Sequence, residues 1–504
     1  MALELLVFFS YVLCLFLSFF SLFYLFAIYK QSYWLKRGVY TPSNCHWFFG
    51  HFKDAFLLKK SFSQVFEDLY STNTDLPVIG IYMLQKPFLI IRDPELIKQM
   101  FIKDFNVFCN RYFASKRKAD IIGSSNLFSI DNPKWKYLRS KLSPAFSMTK
   151  SKKLVQLMLK STDGLMNHLS SQTTDGKTST IECRQLSDKY TTDVITSFAF
   201  GIQTNSYLNT EFYDRSRVIF DMTVRRVILT LSVFFFPRIA DILNGTFLDS
   251  SEEFFRNVFW KSMNEREKSR TSERGDIIDL LIDLKNEKQD PEFIFEGDYL
   301  VAQAAIILFA GIETSAVTMG FTLLELAKNP SMQTKVRHEI QEIIAENGFT
   351  YEALLNMKYL NQVVCETLRL YPPLPIIDRV ASENYKIPDT SIVLEKGTAV
   401  YAVVNGLHKD PQFYRDPHTF IPDRFSEELK QNIKSCTYMP FGEGPRKCIG
   451  MRMGQLQSVV GLATILNNYE VALNSQYVTK ISKKSIILAP ENGIRLDFKQ
   501  ITSL

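Results

Sequence analysis

From Leu5 to Tyr29 the chain reads LLVFFSYVLCLFLSFFSLFYLFAIY, an apolar run without a single charge. At about 1.5 Å per residue a helix of this length crosses the roughly 30 Å hydrocarbon core of a bilayer. Glu4 precedes the run, whereas Lys30, Lys36 and Arg37 follow it, so the positive-inside tendency assigns the remainder to the cytosol. A cleavable signal peptide has a shorter apolar stretch and small residues at its cleavage site, and neither is evident here. No second uncharged run of comparable length occurs. The pattern predicts one signal anchor over residues 1–29, a basic juxtamembrane linker over 30–50, and one domain over 51–504.

Periodicity within that domain is mixed. LPVIGIYMLQKPFLIIRDPELIKQMF alternates apolar residues around turn signals and predicts a small sheet followed by a helix. From about Pro133 to Ala345 the spacing is mostly helical, with the polar stretch KSMNEREKSRTSERGD reading as a solvated helix end and loop. Strand-like runs return at SIVLEKGTAVYAVV and KKSIILAPENGIRLDF. The segment from Val227 to Leu243 is apolar nearly all round up to Pro237. It reads either as a buried helix or as a second membrane contact beside an entry path for greasy ligands. The fold class is mainly α with small β-sheets.

Composition narrows the function. With 504 residues and 46% apolar content the chain can bury a large core. A net charge of +6 on 59 basic and 53 acidic residues argues against nucleic-acid binding. Its seven cysteines (Cys14, Cys45, Cys109, Cys183, Cys365, Cys436 and Cys448) are scattered and form no C-x-x-C pair, which disfavours a disulfide scaffold or a structural zinc site.

One of these cysteines stands in unusual company. FGEGPRKCIG, Phe441 to Gly450, sets Cys448 in a turn with Arg446 and Lys447. Nearby positive charge and backbone N–H groups favour a thiolate, and Gly442, Gly444 and Gly450 let the backbone curl around it. Phe441 can shield the sulfur on one side and tune its donation. A single thiolate donor on an open face suits the axial position of a haem iron. A buried structural cysteine would not ask for the arginine or the phenylalanine.

Phe441, Gly444, Arg446, Cys448 and Gly450 match F-x-x-G-x-R-x-C-x-G, and on this motif the chain resembles the cytochrome P450 superfamily of haem-thiolate monooxygenases. The resemblance covers essentially the whole chain. NPKWKYLRSKLSPAF, ETLRLYPPLP, GLHKDPQFYRDP and PENGI look most like insect microsomal members associated with detoxification. It implies haem b (iron protoporphyrin IX) with Cys448 as axial metal ligand, dioxygen, and electrons from NADPH through a flavoprotein reductase, with cytochrome b5 as an optional second donor. It also implies the endoplasmic reticulum membrane and lipophilic small-molecule substrates such as plant toxins or insecticides, the alternative being an endogenous hormone or terpenoid.

Residue roles carry over from the same resemblance. In ETLR, Glu366 and Arg369 would join Arg424 of FIPDRF in a structural triad; the usual glutamate before that arginine is Asp423 here. AGIETS puts Gly311, Glu313 and Thr314 in mid-helix, where glycine costs about 1 kcal/mol against alanine and a buried acid needs a partner. By the resemblance Gly311 leaves room for dioxygen, Thr314 hydrogen-bonds it during activation, and Glu313 relays protons. Thr314 could also bond back to the carbonyl four residues earlier. Trp135 and Arg139, one helical turn apart in WKYLR, would hold haem propionates together with Arg446, Arg379 and Arg111. Lys134, Lys136, Lys141, Lys447 and Arg452 would face the reductase. Leu127, Phe128, Phe309, Ala310, Ile376, Ile377 and Ile487 would line an apolar pocket. Two rival readings share the fold: a peroxide-rearranging enzyme, which commonly lacks the threonine at 314, and a haem-carrying sink without turnover. One departure is the linker, where Pro42 stands alone in place of a proline-rich hinge.

Overall fold

The computed structural model describes residues 2–73, 75–173, 177–220, 223–235, 237–269, 274–290, 293–485 and 487–501. The uncharged run forms one helix, α1 (Ala2–Gln31), whose rings and aliphatic chains are exposed over most of its length. Beyond it come α2 (Lys134–Leu142), α3 (Met148–Gln172), α4 (Cys183–Phe200), α5 (Glu211–Arg217), α6 (Val224–Phe235), α7 (Pro237–Ile242), α8 (Glu252–Ser269), α9 (Gly297–Lys328), α10 (Lys358–Leu370) and α11 (Met451–Asn468). The strands used below are β1 (Val78–Met83), β2 (Lys86–Ile91), β3 (Ser179–Glu182), β4 (Ile377–Val380), β5 (Ala399–Ala402), β6 (Tyr469–Leu473) and β7 (Arg495–Gln500).

Helix α9 is the axis of the larger core. It is apolar enough to cross a membrane, yet α4, α8, α10 and α11 cover it, and most of its side chains are fully buried. Burial all round explains why its sequence shows no polar stripe. A second core lies under the mixed sheet β1-β2-β5-β4. There β1 and β2 are antiparallel, β2 and β5 parallel, and β4 antiparallel to β5 with Arg379 opposite Val400. The sheet β3-β7-β6 closes the other side.

Most of the patterned expectations hold. The alternating run before Phe101 forms β1, β2 and a short helix over Pro94–Lys98. KKSIILAPENGIRLDF yields a strand only at Arg495–Gln500. The four-residue strand β3, inside the stretch read as helical, was too short to leave a period. Val227 to Leu243 forms parts of α6 and α7, position 236 lying outside the described residues. Leu229 and Ala240 are buried while Ile228, Ile239, Ile242 and Leu243 are exposed, so the segment divides into an inner and an outer face.

Candidate functional site

Local hydrogen bonds fold the cysteine turn. Gly442 N–H donates to Met439 O at 3.0 Å, Lys447 N–H to Gly444 O at 2.9 Å, and Cys448 N–H to Phe441 O at 2.9 Å. Gly444 has φ +76°, and a Cβ there would lie 2.1 Å from Phe101 O, so only glycine fits. The turn runs into α11 at Met451. One turn later Gly454 approaches Ser315 Oγ (3.7 Å from an added Cβ), and Gln457 Nε2 donates to Gly311 O at 3.3 Å. This packing sets the first turns of α11, which follow the cysteine turn directly, onto the middle of α9 at Gly311 and Ser315.

Here the burial pattern of α9 breaks. Ala310 is exposed and Thr314 half-buried, between neighbours that are almost fully covered. Cys448 is exposed as well, although protein encloses its sulfur closely enough for burial to be the largest influence on the thiol. These surfaces therefore face an interior cleft rather than the outside. Crowding by protein pushes the Cys448 thiol above its ordinary pKa, opposed by the Gly450 N–H, Arg139, Arg111 and Lys447. Of the two charges read beside it from the sequence, Lys447 acts on the sulfur, joined by Arg139 and Arg111, and in the protein alone burial outweighs these cations. A cation bound at sulfur would tip that balance toward thiolate.

Three arginines crowd the next wall. Arg379 on β4 is fully buried; it donates to Asp378 O at 2.7 Å and Glu443 O at 3.4 Å and covers the Phe101 ring at 4.8 Å. Arg111 lies over Phe128 at 4.3 Å and 3.9 Å from Asp378. The Nε atoms of Arg111 and Arg379 are both buried without a hydrogen-bond partner. Burial lowers both guanidinium pKa values, and proximity to Arg111 lowers Arg379 further. Against these charges Asp378 also serves Tyr112 and Phe113 N–H, at 2.5 and 2.8 Å. The wall thus carries surplus positive charge and idle donors, which an anionic group would satisfy. Arg139 on α2 is half-buried at the same place, with Cys448 as the charge acting on it.

Arg446, read from the sequence as a further propionate donor, is gripped by the protein itself through three of its N–H groups. Its Nε, Nη1 and Nη2 donate to Cys109 O (2.6 Å), Phe128 O (3.3 Å) and Ile130 O (2.8 Å), and its guanidinium lies 4.5 Å from the Trp135 ring centre. Burial followed by repulsion from Arg111 brings its pKa down to about 9. It pins the 109–130 segment and α2 to the cysteine turn, and thereby places Arg111 and Trp135.

Thr314 Oγ1 donates to Ala310 O at 2.7 Å, the back-bond weighed from sequence. At Gly311 an added Cβ would meet Ile195 Cδ1 at 2.5 Å, so the missing side chain makes room for α4. Glu313 has the partners that burial demanded: Arg184 of α4, and Arg217 of α5 at 2.7 Å. Arg217 also holds Asp188 at 3.0 Å. Burial and then Glu313 raise Asp188 to about 7. Sequence reasoning missed Asp188, Arg184, Arg217 and Asp378, because no local spacing links them to the residues they serve.

The triad behind this site is assembled. Arg369 donates to Glu366 at 2.7 and 2.8 Å, and both are fully buried; Arg424 Nε lies 3.4 Å from Glu366 Oε1. Arg369 also donates to His408 O and Pro417 O at 2.7 Å and to Thr419 O at 3.2 Å.

Of the expected pocket residues, Ala310, Ile376 and Ile487 retain exposure, and Leu127 and Ile377 are almost covered. Phe128 sits under Arg111. Phe309 is committed to a cluster with Phe220, Phe247 and Phe255, with ring centres 5.5 to 6.0 Å away. Lys134, Lys136 and Arg452 are exposed, whereas Lys141 is paired with Glu287 and Lys447 lies 4.0 Å from Glu443.

A profile for the family described as "Cytochrome P450" matches residues 41–498. Similar curated proteins include cytochrome P450 6k1 of Blattella germanica, 40% identical over 95% of this chain and 95% of its own length. Cytochrome P450 6a8 of Drosophila melanogaster is 35% identical over 94% of this chain and 95% of its own. Cytochrome P450 9e2 of Blattella germanica is 34% identical over 95% and 96%.

Proposed function

Because this chain belongs to the cytochrome P450 family of haem-iron monooxygenases, supplied with electrons by reductases, we propose that it hydroxylates, epoxidises or dealkylates lipophilic xenobiotics such as plant toxins and insecticides. The family's haem iron, when bound, supplies oxygen activation and the oxidising power for C–H or C=C attack. The observation that carries the reading is one cleft: a thiol in a cationic turn against the break in the burial of α9 at Ala310–Thr314, beside arginines with unused buried N–H groups.

Cys448 is the residue to hold the iron. Arg111 and Arg379, with idle donors, and Arg139 with Trp135 fit the propionates; Arg446 fixes their positions through the carbonyls it grips. Thr314 Oγ1 can leave Ala310 O and donate into the cleft, which makes it the hydrogen-bond donor nearest the reaction. Glu313 can replenish that proton once one guanidinium contact opens. Arg217 and Arg184 both have Asp188 to fall back on, at 3.0 and 3.7 Å, so either contact can release it.

The apolar surfaces of Ala310, Ile376 and Ile487 support a lipophilic substrate. Insect relatives of the same family support a defensive role. The reading further takes NADPH with a flavoprotein reductase, assisted by cytochrome b5, as electron source. It places α1 in the endoplasmic reticulum membrane with the domain in the cytosol, the outer face of α6 and α7 against the same bilayer. Lys134, Lys136 and Arg452 form the reductase-facing patch. The test is turnover of a lipophilic panel by recombinant protein with NADPH and reductase, screened first by spectral titration. Haem loading with no product from any compound would reduce the protein to a ligand sink.

A further inference from the structure

The linker after α1 is not a loose tether, although Pro42 is its only proline. His46 and Gly50 exchange two backbone hydrogen bonds of 2.8 Å and close a tight turn. His46 Nδ1 accepts from Phe48 and Phe49 N–H inside it, at 3.1 and 3.3 Å. Gln31, the last residue of α1, donates Nε2 to His46 O at 3.0 Å and Trp47 O at 3.1 Å. At the domain end Gly50 has φ +63°, and a Cβ on it would lie 2.2 Å from Tyr82 O of β1. The turn is thus fixed to the anchor on one side and to the sheet on the other.

What it presents to α1 is aromatic. The Trp47 ring centre lies 5.3 Å from Phe20, 6.1 Å from Phe23 and 5.6 Å from Tyr24, and Phe48 lies 6.1 Å from Phe23. Phe48 remains 38% exposed, and Trp47 is half-buried. The roughly 21 residues from Leu3 to Phe23 measure about 31 Å as a helix, the thickness of a hydrocarbon core. Cations begin only past that level: Lys30 over Phe26 at 5.6 Å, Lys36 over Tyr29 at 4.2 Å and Arg37 over Tyr33 at 3.6 Å. Ala27 and Trp34 are fully buried, so α1 enters the domain above the same level.

We propose that the His46–Phe49 turn is a further membrane contact, separate from the outer face of α6 and α7, with Trp47 and Phe48 at the boundary between acyl chains and headgroups. By gripping α1 at Phe20–Tyr24 the turn sets how deeply the domain sits, in place of a proline hinge. An indole with an apolar body and one polar N–H favours this boundary, and the exposed Lys30 and Lys36 beyond it meet lipid phosphates, while Arg37 is paired with Glu395. The inference rests on reading α1 as membrane-spanning.

The test uses the full-length haem-loaded chain in phosphatidylcholine vesicles whose acyl chains carry bromine at shallow, middle or deep positions. The chain has four tryptophans, and the difference between wild type and Trp47→Phe isolates Trp47. Its emission should be quenched severalfold more by shallow than by deep bromine, and Phe48→Trp in the Trp47→Phe background should restore shallow quenching. No quenching of either reporter, or quenching strongest at the deep position, overturns the proposal. Sedimentation with the vesicles separates the two failures: a chain that does not pellet refutes the spanning anchor, and one that pellets with unquenched Trp47 refutes the turn.

Discussion

Replacing Glu366 by glutamine removes one charge and almost no volume from a site where both Glu366 and Arg369 are fully buried. Glu366 accepts two hydrogen bonds from Arg369, one from Ile421 N–H at 2.8 Å and a longer one from Arg424. Glutamine can keep some of these contacts, but Arg369 then carries an uncompensated charge in a fully buried place. Breaking one side of a buried pair costs about 3–5 kcal/mol. A folded domain has about 5–15 kcal/mol in total, so the loss is a large part of the whole. The double replacement Glu366→Leu with Arg369→Met removes both charges, which in many proteins is close to neutral. Here it should not be, because His408 O, Pro417 O and Thr419 O lose their donor and Ile421 N–H loses its acceptor. Orphaned buried groups of this kind cost about 1–3 kcal/mol each. Urea unfolding followed by circular dichroism, with the haem-thiolate absorption band as a second probe, measures both variants. Glu366→Gln within about 1 kcal/mol of wild type would refute the reasoning, and so would a neutral double variant.

Thr314→Ala should raise hydrogen peroxide released per NADPH consumed and lower product in step, measured in a reconstituted reductase assay; unchanged coupling removes Thr314 from the mechanism. Gly311→Ala should destabilise by about 1–3 kcal/mol through overpacking against Ile195, and Ile195→Ala should partly rescue it. A gain of stability, as helix propensity alone would give, contradicts the packing role. Asp188, raised from 3.8 to about 7 by burial and by Glu313, holds its proton in the folded state after the unfolded chain has released one. Stability should therefore fall as pH rises from about 4 to about 7 and then level off. Asp188→Asn should flatten that slope in pH-dependent melting curves, and a slope equal to wild type would exclude Asp188 as its source.

What the sequence made legible was local. The anchor, the cysteine turn and the Glu366–Arg369 pair each lie within one uninterrupted stretch, where spacing along the chain equals geometry. Roles that depend on distant segments were not legible. Gly311 answers to Ile195, more than a hundred positions earlier, and Arg446 answers to the carbonyls of Cys109, Phe128 and Ile130. The buried acid in AGIETS announced that Glu313 must have partners, because an unpaired carboxylate there is too costly. Which arginines supply them follows only from the packing of α4 and α5 on α9. The His46–Phe49 turn had no readable signal either, since its meaning depends on α1 passing beside it.

Cys448 is proposed to ligate haem iron as a thiolate. Purified protein, reduced and exposed to carbon monoxide, tests it in one spectrum. A strongly red-shifted Soret band, lost in Cys448→Ser, is the predicted result. A folded, haem-loaded wild-type protein whose carbon monoxide complex lacks that shift would contradict the account.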